Sequence, residues 1–202
     1  WATVYPRRIV DATARAKVSA VFLRSTDHGH HWDFWSEIPY AGDPAVDPKA
    51  DERGGFTEPA IQFMPDGSVF CLLRTTDGAG VGPLYQARST DQGRTWSRPK
   101  VFDSLGVWPR LLTLGNGVTL AAYGRPGLFV RATSSPDGSR WDPRVPVVAP
   151  KVDGQEKTTC AYAALLPLNA EAALIAYSDF QTPAADGGFR KGIRVRRIET
   201  TV

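Results

Sequence analysis

The chain is short of cysteine, histidine, lysine and long apolar runs, and each shortage closes off a class of function. Its two cysteines, Cys71 and Cys160, each sit inside an apolar stretch. That is the setting of small buried residues rather than of a disulfide framework, and neither has zinc-ligand spacing. The three histidines all fall in "HGHH" (His28 to His31), on variable positions of a repeated turn. No carboxylate or cysteine lies at ligand spacing from them, so no metal site is expected. No apolar segment approaches the length of a membrane span. No signal peptide is visible, and the chain opens on Trp1 rather than methionine, so a segment removed ahead of it is one expectation. Lysine and arginine together number 24 against 21 acidic residues, a net charge of +3. That is too small to indicate nucleic acid. Eighteen of the cations are arginine and six lysine; the guanidinium fork suits carboxylates and phosphates. The basic segment "KGIRVRRI" alternates like a last strand with one exposed face and has no interleaved aromatic platform.

A convincing helical period is also absent. Across 202 residues, 19 glycines and 16 prolines punctuate short runs rich in Val, Leu, Phe and Tyr. Asp-Gly and Asn-Gly turns separate several of these runs, as in hairpins. "FTEPAIQFM", "SVFCLLR" and "PLYQARS" form one unit. "VWPRLLTL", "VTLAAYGR" and "GLFVRATS" form the next, and "TCAYAALLPL", "ALIAYSDF" and "KGIRVRRIE" a third; upstream stands "KVSAVFLR". About four units at roughly 45-residue spacing predict an all-β fold, a β-propeller of four-stranded antiparallel blades in a single domain over 1–202. A β-sandwich is the competing all-β arrangement.

One turn recurs. "STDHGHHW" (Ser25 to Trp32) and "STDQGRTW" (Ser89 to Trp96) share the pattern Ser-x-Asp-x-Gly-x-x-Trp. "SSPDGSRW" (Ser134 to Trp141) is a degenerate copy, with Pro136 in the aspartate position and Asp137 shifted by one. Serine and aspartate accept from nearby backbone N–H groups. Glycine supplies a positive φ, and tryptophan wedges between strands while its N–H finds an acceptor. The aspartate is thereby used up locally, so the turn is expected to fasten the fold rather than to catalyse.

This pattern resembles the Asp-box (BNR repeat) of the sialidase (neuraminidase) superfamily, whose fold is a six-bladed β-propeller, and the resemblance covers nearly the whole chain. "TEPAIQFMPDGSVFCLLRT" is similar to the segment that carries the family's catalytic glutamate and one arginine of its carboxylate-binding triad. The resemblance implies that Glu58 and Arg74 hold those roles. "YGRPGLFVRATSSPDGSRW" resembles the next segment and implies a second triad arginine at Arg125, with Arg131 the weaker choice. "CAYAALLPL" resembles the strand of the nucleophilic tyrosine, which implies Tyr162. A neutral phenol suits a sugar whose anomeric carbon bears a carboxylate, and sialidases are the tyrosine exception among glycosidases. A phenol needs a base, the role implied for Glu58, and arginines bind a carboxylate through charge-assisted hydrogen bonds.

The family's remaining arginine and its acid/base aspartate precede its first Asp-box. Here 24 residues precede Ser25, and Arg8 (beside Arg7) and Asp11 are the candidates within them; Asp43, Asp47 and Asp51 follow the box in a loop. Four units against six imply a propeller incomplete at the N-terminus, completed by self-association or a partner chain, or a smaller closed one. The implied activity is an exo-sialidase-like retaining glycoside hydrolase, acting on a sialylated glycan or related acidic sugar without cofactor or metal. It implies neither nucleic acid nor a membrane span, and a secreted or periplasmic location. The alternatives are an inactive carbohydrate-binding propeller and a structural or adhesion propeller.

Overall fold

The computed structural model describes residues 1–6, 17–75, 81–150 and 158–201. Among these the chain is all-β, with four antiparallel sheets and one short 3₁₀ turn at Ala50–Glu52. No helix among the described residues is long and apolar enough to cross a membrane. The chain divides into two compact units, Trp1–Phe63 with Gly67–Leu105, and Met64–Asp66 with Gly106–Val202.

The first unit holds two sheets. One is β1 (Ala2–Val4), β2 (Ala20–Arg24) and β3 (Asp33–Ile38) in that order. The other is β4 (Phe56–Phe63), β5 (Val69–Thr75), β6 (Leu84–Ser89) and β7 (Lys100–Asp103). Strand β5 is nearly all apolar and buried on both faces, which makes it an interior strand. Ala20, Phe22, Ile38, Phe56, Cys71, Leu73, Tyr85 and Ala87 form the core shared by the two sheets.

The second unit repeats the plan. Its first sheet is β8 (Val107–Thr113), β9 (Thr119–Gly124), β10 (Leu128–Thr133) and β11 (Val145–Val148), ordered outward. Its second is β12 (Ala164–Pro167), β13 (Ala172–Pro183) and β14 (Phe189–Glu199). The β8–β9 turn is Asn116-Gly117: Gly117 has φ 86°, and Asn116 Oδ1 accepts from Val118 N–H at 3.1 Å. Leu120, Ala122, Leu128, Val130, Ala173, Ile175 and Tyr177 build the core.

Among the described residues two sheets have four strands and two have three, where four-stranded blades were expected with the first incomplete. In the four-stranded sheets the outer strand follows a Ser/Asp/Trp turn, β7 after Trp96 and β11 after Trp141. Strand β14 also departs from the expected single exposed face, since Ile193 and Val195 are 78% and 57% exposed while Ile198 packs on the core. Neither cysteine is in a disulfide; Cys71 is buried, and Cys160 only half-buried.

The recurring turns are tied as their chemistry demands. Ser89 Oγ accepts from Gly93 N–H at 2.7 Å and donates to Asp91 Oδ1 at 2.7 Å. Asp91 accepts from Thr95 N–H at 2.9 Å and from Thr95 Oγ1 at 2.6 Å. The first turn repeats this: Ser25 Oγ accepts from Gly29 N–H at 2.8 Å, and Asp27 Oδ1 from His31 N–H at 2.9 Å. His31 Nδ1 lies against Asp27 Oδ2.

The third copy begins in a different register from the one read in the sequence. Ser135 N–H donates to Thr133 Oγ1 at 3.0 Å, as Asp91 N–H donates to Ser89 Oγ at 3.3 Å. Asp142 N–H donates to Ala132 O at 2.9 Å, as Ser97 N–H donates to Arg88 O at 2.8 Å. Thr133 therefore takes the serine's place at the strand end, in a turn one residue longer, while Trp141 Nε1 donates to Gly138 O at 2.9 Å as Trp32 Nε1 donates to Gly29 O at 3.0 Å, at the glycine and tryptophan positions read in the sequence. Asp137 is an addition that accepts from Ser135 Oγ at 2.6 Å and Ser139 N–H at 2.9 Å.

Within the first unit, the second turn clasps the neighbouring sheet. Trp96 stacks on Phe22 of β2 at 4.6 Å and donates its indole N–H to Ser36 Oγ of β3 at 3.0 Å. Trp35 donates to Gln92 O at 2.8 Å, and its ring lies under the guanidinium groups of Arg24 and Arg94. Gly93 has φ 72°, and a Cβ there would stand 2.6 Å from the Trp1 ring, so the position requires glycine.

Candidate active site

Three first strands carry chemistry at one station. Phe63, Thr113 and Pro167 each pair with the first residue across their hairpin, Val69, Thr119 and Ala173. Five residues ahead of each stand Glu58, Trp108 and Tyr162. The backbone is left-handed there: φ is 48° at Glu58, 49° at Trp108 and 60° at Ala161, just before Tyr162. Non-glycine residues hold this conformation only when their surroundings over-determine it, and such residues cluster at functional sites. Irregular registers at Thr57/Ala60 and Val107/Arg110 accompany it, as bulges re-aim side chains elsewhere.

In the first unit, Glu58 on β4 meets Arg74 near the end of β5. Arg74 Nη1 donates to Glu58 Oε1 at 2.5 Å, and their side chains are 12% and 9% exposed. The cross-strand pairing of Thr57 with Arg74 puts them side by side.

In the second unit, Tyr162 lies two residues ahead of β12 rather than on it, and is 41% exposed. Arg125 follows β9 by one residue, with φ 56°. Its Nη2 donates to Cys160 O at 2.9 Å, and its guanidinium lies 5.7 Å from the Tyr162 ring centroid. The structure thus joins Arg125 to Tyr162 and Arg74 to Glu58. Arg131 lies elsewhere on β10, bracing the third turn through Asp142 O at 2.7 Å and Trp141 O at 3.1 Å.

Of the loop aspartates, Asp47 has its carboxylate fully engaged, Asp43 accepts one backbone N–H, and Asp51 is held through its main-chain carbonyl. Asp47 is buried against Arg53, taking Nε at 2.8 Å and Nη2 at 3.1 Å. That bidentate pair holds its carboxyl below the usual range. Asp43 Oδ1 accepts from Ala45 N–H at 3.0 Å and its own N–H donates to Tyr85 Oη at 2.9 Å; Asp51 O accepts from Lys17 Nζ at 2.5 Å. Burial first, then Tyr85 and Asp47 nearby, push the Tyr40 phenol up to about 12. Arg8 and Asp11 lie outside the described residues.

Sequence reasoning passed over Trp108. It stacks on Tyr162 at 4.6 Å with 20° between the planes, and the Arg110 guanidinium lies 4.1 Å from its own ring. The signal was present: Trp108-Pro109 repeats Glu58-Pro59 at the same distance from its hairpin.

No family model matches the sequence, and no curated protein does. Solved structures do match by fold. A Dyadobacter fermentans protein of unknown function is 18% identical with a TM-score of 0.68, over 98% of this chain and 50% of that one. The GH93 α-L-arabinofuranosidase of Fusarium graminearum is 15% identical with a TM-score of 0.60, over 89% and 54%. The NanB sialidase of Streptococcus pneumoniae is 11% identical with a TM-score of 0.61, over 98% and 50%. The fold is that of propeller-like glycosidases. The chain spans about half the length of these solved chains.

Proposed function

We propose that the chain carries the site of a retaining exo-sialidase-like glycoside hydrolase within an Asp-box β-propeller. The observation that supports this reading is the half-exposed Tyr162 beside the Arg125 guanidinium, in a fold shared with glycosidases. Tyr162 Oη attacks the anomeric carbon as the bond to the aglycone oxygen breaks, and that oxygen takes a proton from solvent water. Water then cleaves the tyrosyl–sugar bond, giving retention. The phenolic proton passes to a base; within the first unit Glu58 is paired with Arg74. Arg125 binds the substrate carboxylate, and its planar fork suits that ligand; Arg74 has the same chemistry, anchored by Glu58.

A second reading is a carbohydrate-binding propeller without turnover. It is favoured by the engagement of the Asp47 carboxylate with Arg53, which removes that aspartate as the acid. Release of a fluorogenic aryl group from an α-sialoside, by wild type and Tyr162→Phe, separates the two. Turnover abolished by the substitution supports the hydrolase, and turnover that survives it removes Tyr162 as nucleophile. Carboxylate-dependent glycan binding with no turnover supports the second reading.

A further inference from the structure

Trp108 stands on the third sheet where Glu58 stands on the second, and Tyr162 stands just ahead of the fourth, each five residues ahead of its hairpin pair. An indole is among the least suited side chains for a left-handed backbone, yet φ is 49° there. Its ring contacts show what that conformation achieves. The indole lies nearly parallel to the Tyr162 phenol at 4.6 Å, inside the range of a stacked aromatic pair. The Arg110 guanidinium at 4.1 Å gives the indole a cation–π contact of its own.

A tyrosine exposed to 41% has freedom at χ1 and at its broad χ2 well, and a stacked ring removes much of it. We propose that Trp108 is a positioning residue for Tyr162, holding the plane of the phenol and with it the direction in which Oη meets the anomeric carbon. The proposal rests on the reading of Tyr162 as nucleophile. Trp108 takes no part in bond making; it acts through the geometry of the attacking oxygen. A displacement of about 1 Å in a reacting group costs on the order of 100-fold in rate.

The test uses the full chain and a fluorogenic aryl α-sialoside. Trp108→Leu removes the ring face and keeps apolar bulk; Trp108→Phe keeps a face; Trp108→Met is a second ring-free variant should Trp108→Leu fold poorly. Near-UV circular dichroism follows the Trp–Tyr pair, and thermal unfolding checks folding. The expected result is a kcat lowered about 10- to 100-fold in the ring-free variants, KM within about threefold of wild type, and kcat within about fivefold in Trp108→Phe. Wild-type kcat in a folded ring-free variant overturns the proposal. So does Trp108→Phe as slow as Trp108→Leu, or a raised KM with kcat unchanged, which makes Trp108 a substrate platform. A wild type inert on every α-sialoside overturns the hydrolase reading and this proposal with it, whereas an active wild type with an unimpaired Trp108→Leu overturns the proposal alone.

Discussion

Arg74 and Glu58 form a 2.5 Å ion pair whose two side chains are almost wholly withdrawn from water. Removing either partner leaves a charge in a poorly solvated place, a far larger loss than an exposed pair would show. Arg74→Met is expected to lower the unfolding free energy by about 3 kcal/mol in urea titrations. The double variant Arg74→Met, Glu58→Gln should lose less than the two single losses added together. Additive losses would mean that the two groups do not depend on each other.

Arg125 offers a separate test of ligand chemistry. Its Nη2 is anchored on Cys160 O at 2.9 Å, and its guanidinium lies over the Tyr162 ring. A hydrogen bond to a charged group contributes about 1.5–3 kcal/mol. Arg125→Ala should therefore weaken binding of free sialic acid by about 10- to 100-fold in calorimetry. Arg125→Lys should recover only part of that, because an ammonium cannot reproduce the planar fork. The methyl ester of the same sugar should be nearly indifferent to both changes; equal losses for acid and ester would show that Arg125 does not read the carboxylate.

The two full copies of the turn should differ in their energetic weight. Trp96 is stacked on Phe22 and hydrogen-bonded to Ser36, whereas Trp32 is 44% exposed and donates to Gly29 O within its own turn. Trp96→Ala is expected to cost about 2 kcal/mol, below the range of a fully buried aromatic truncation because Trp96 is half-buried. Trp32→Ala should cost under about 1 kcal/mol in the same denaturation series. Equal costs would contradict the clasp assigned to Trp96.

That asymmetry bears on what the sequence can disclose. Strands and hairpins were legible because Asn116-Gly117 and alternating apolar runs act locally, and four sheets stand where about four units were read. The hairpin that carries Glu58 and Arg74 was legible too, through the Asp66-Gly67 turn, but the ion pair between them was not. Neither was the register at the start of the third turn. Thr133, Ser134 and Ser135 are consecutive hydroxyls, and only backbone hydrogen bonds show which of them stands for serine. Nor was the burial of Asp47, because its partner Arg53 lies six residues away in an irregular loop with no periodicity to place it. Trp108 escaped notice because an aromatic in a strand is ordinary. Its left-handed backbone and the ring stacked on it are tertiary facts.

The second turn should also give the fold an acid limit. Hydrogen bonds from the Thr95 hydroxyl, the Thr95 N–H and Ser89 hold the Asp91 carboxyl down to about 2, from an ordinary value of 3.8. The group is ionised more readily folded than unfolded. Its contribution is therefore fully present above about pH 4 and is lost as pH falls through about 2. Asp91→Asn keeps an acceptor for Thr95 N–H but has no proton to gain. Thermal midpoints measured from pH 5 to pH 2 should accordingly fall more steeply for wild type than for Asp91→Asn, the two curves drawing together at the acid end. Parallel curves throughout would show that the Asp91 carboxylate is no more stabilised in the folded turn than in the unfolded chain.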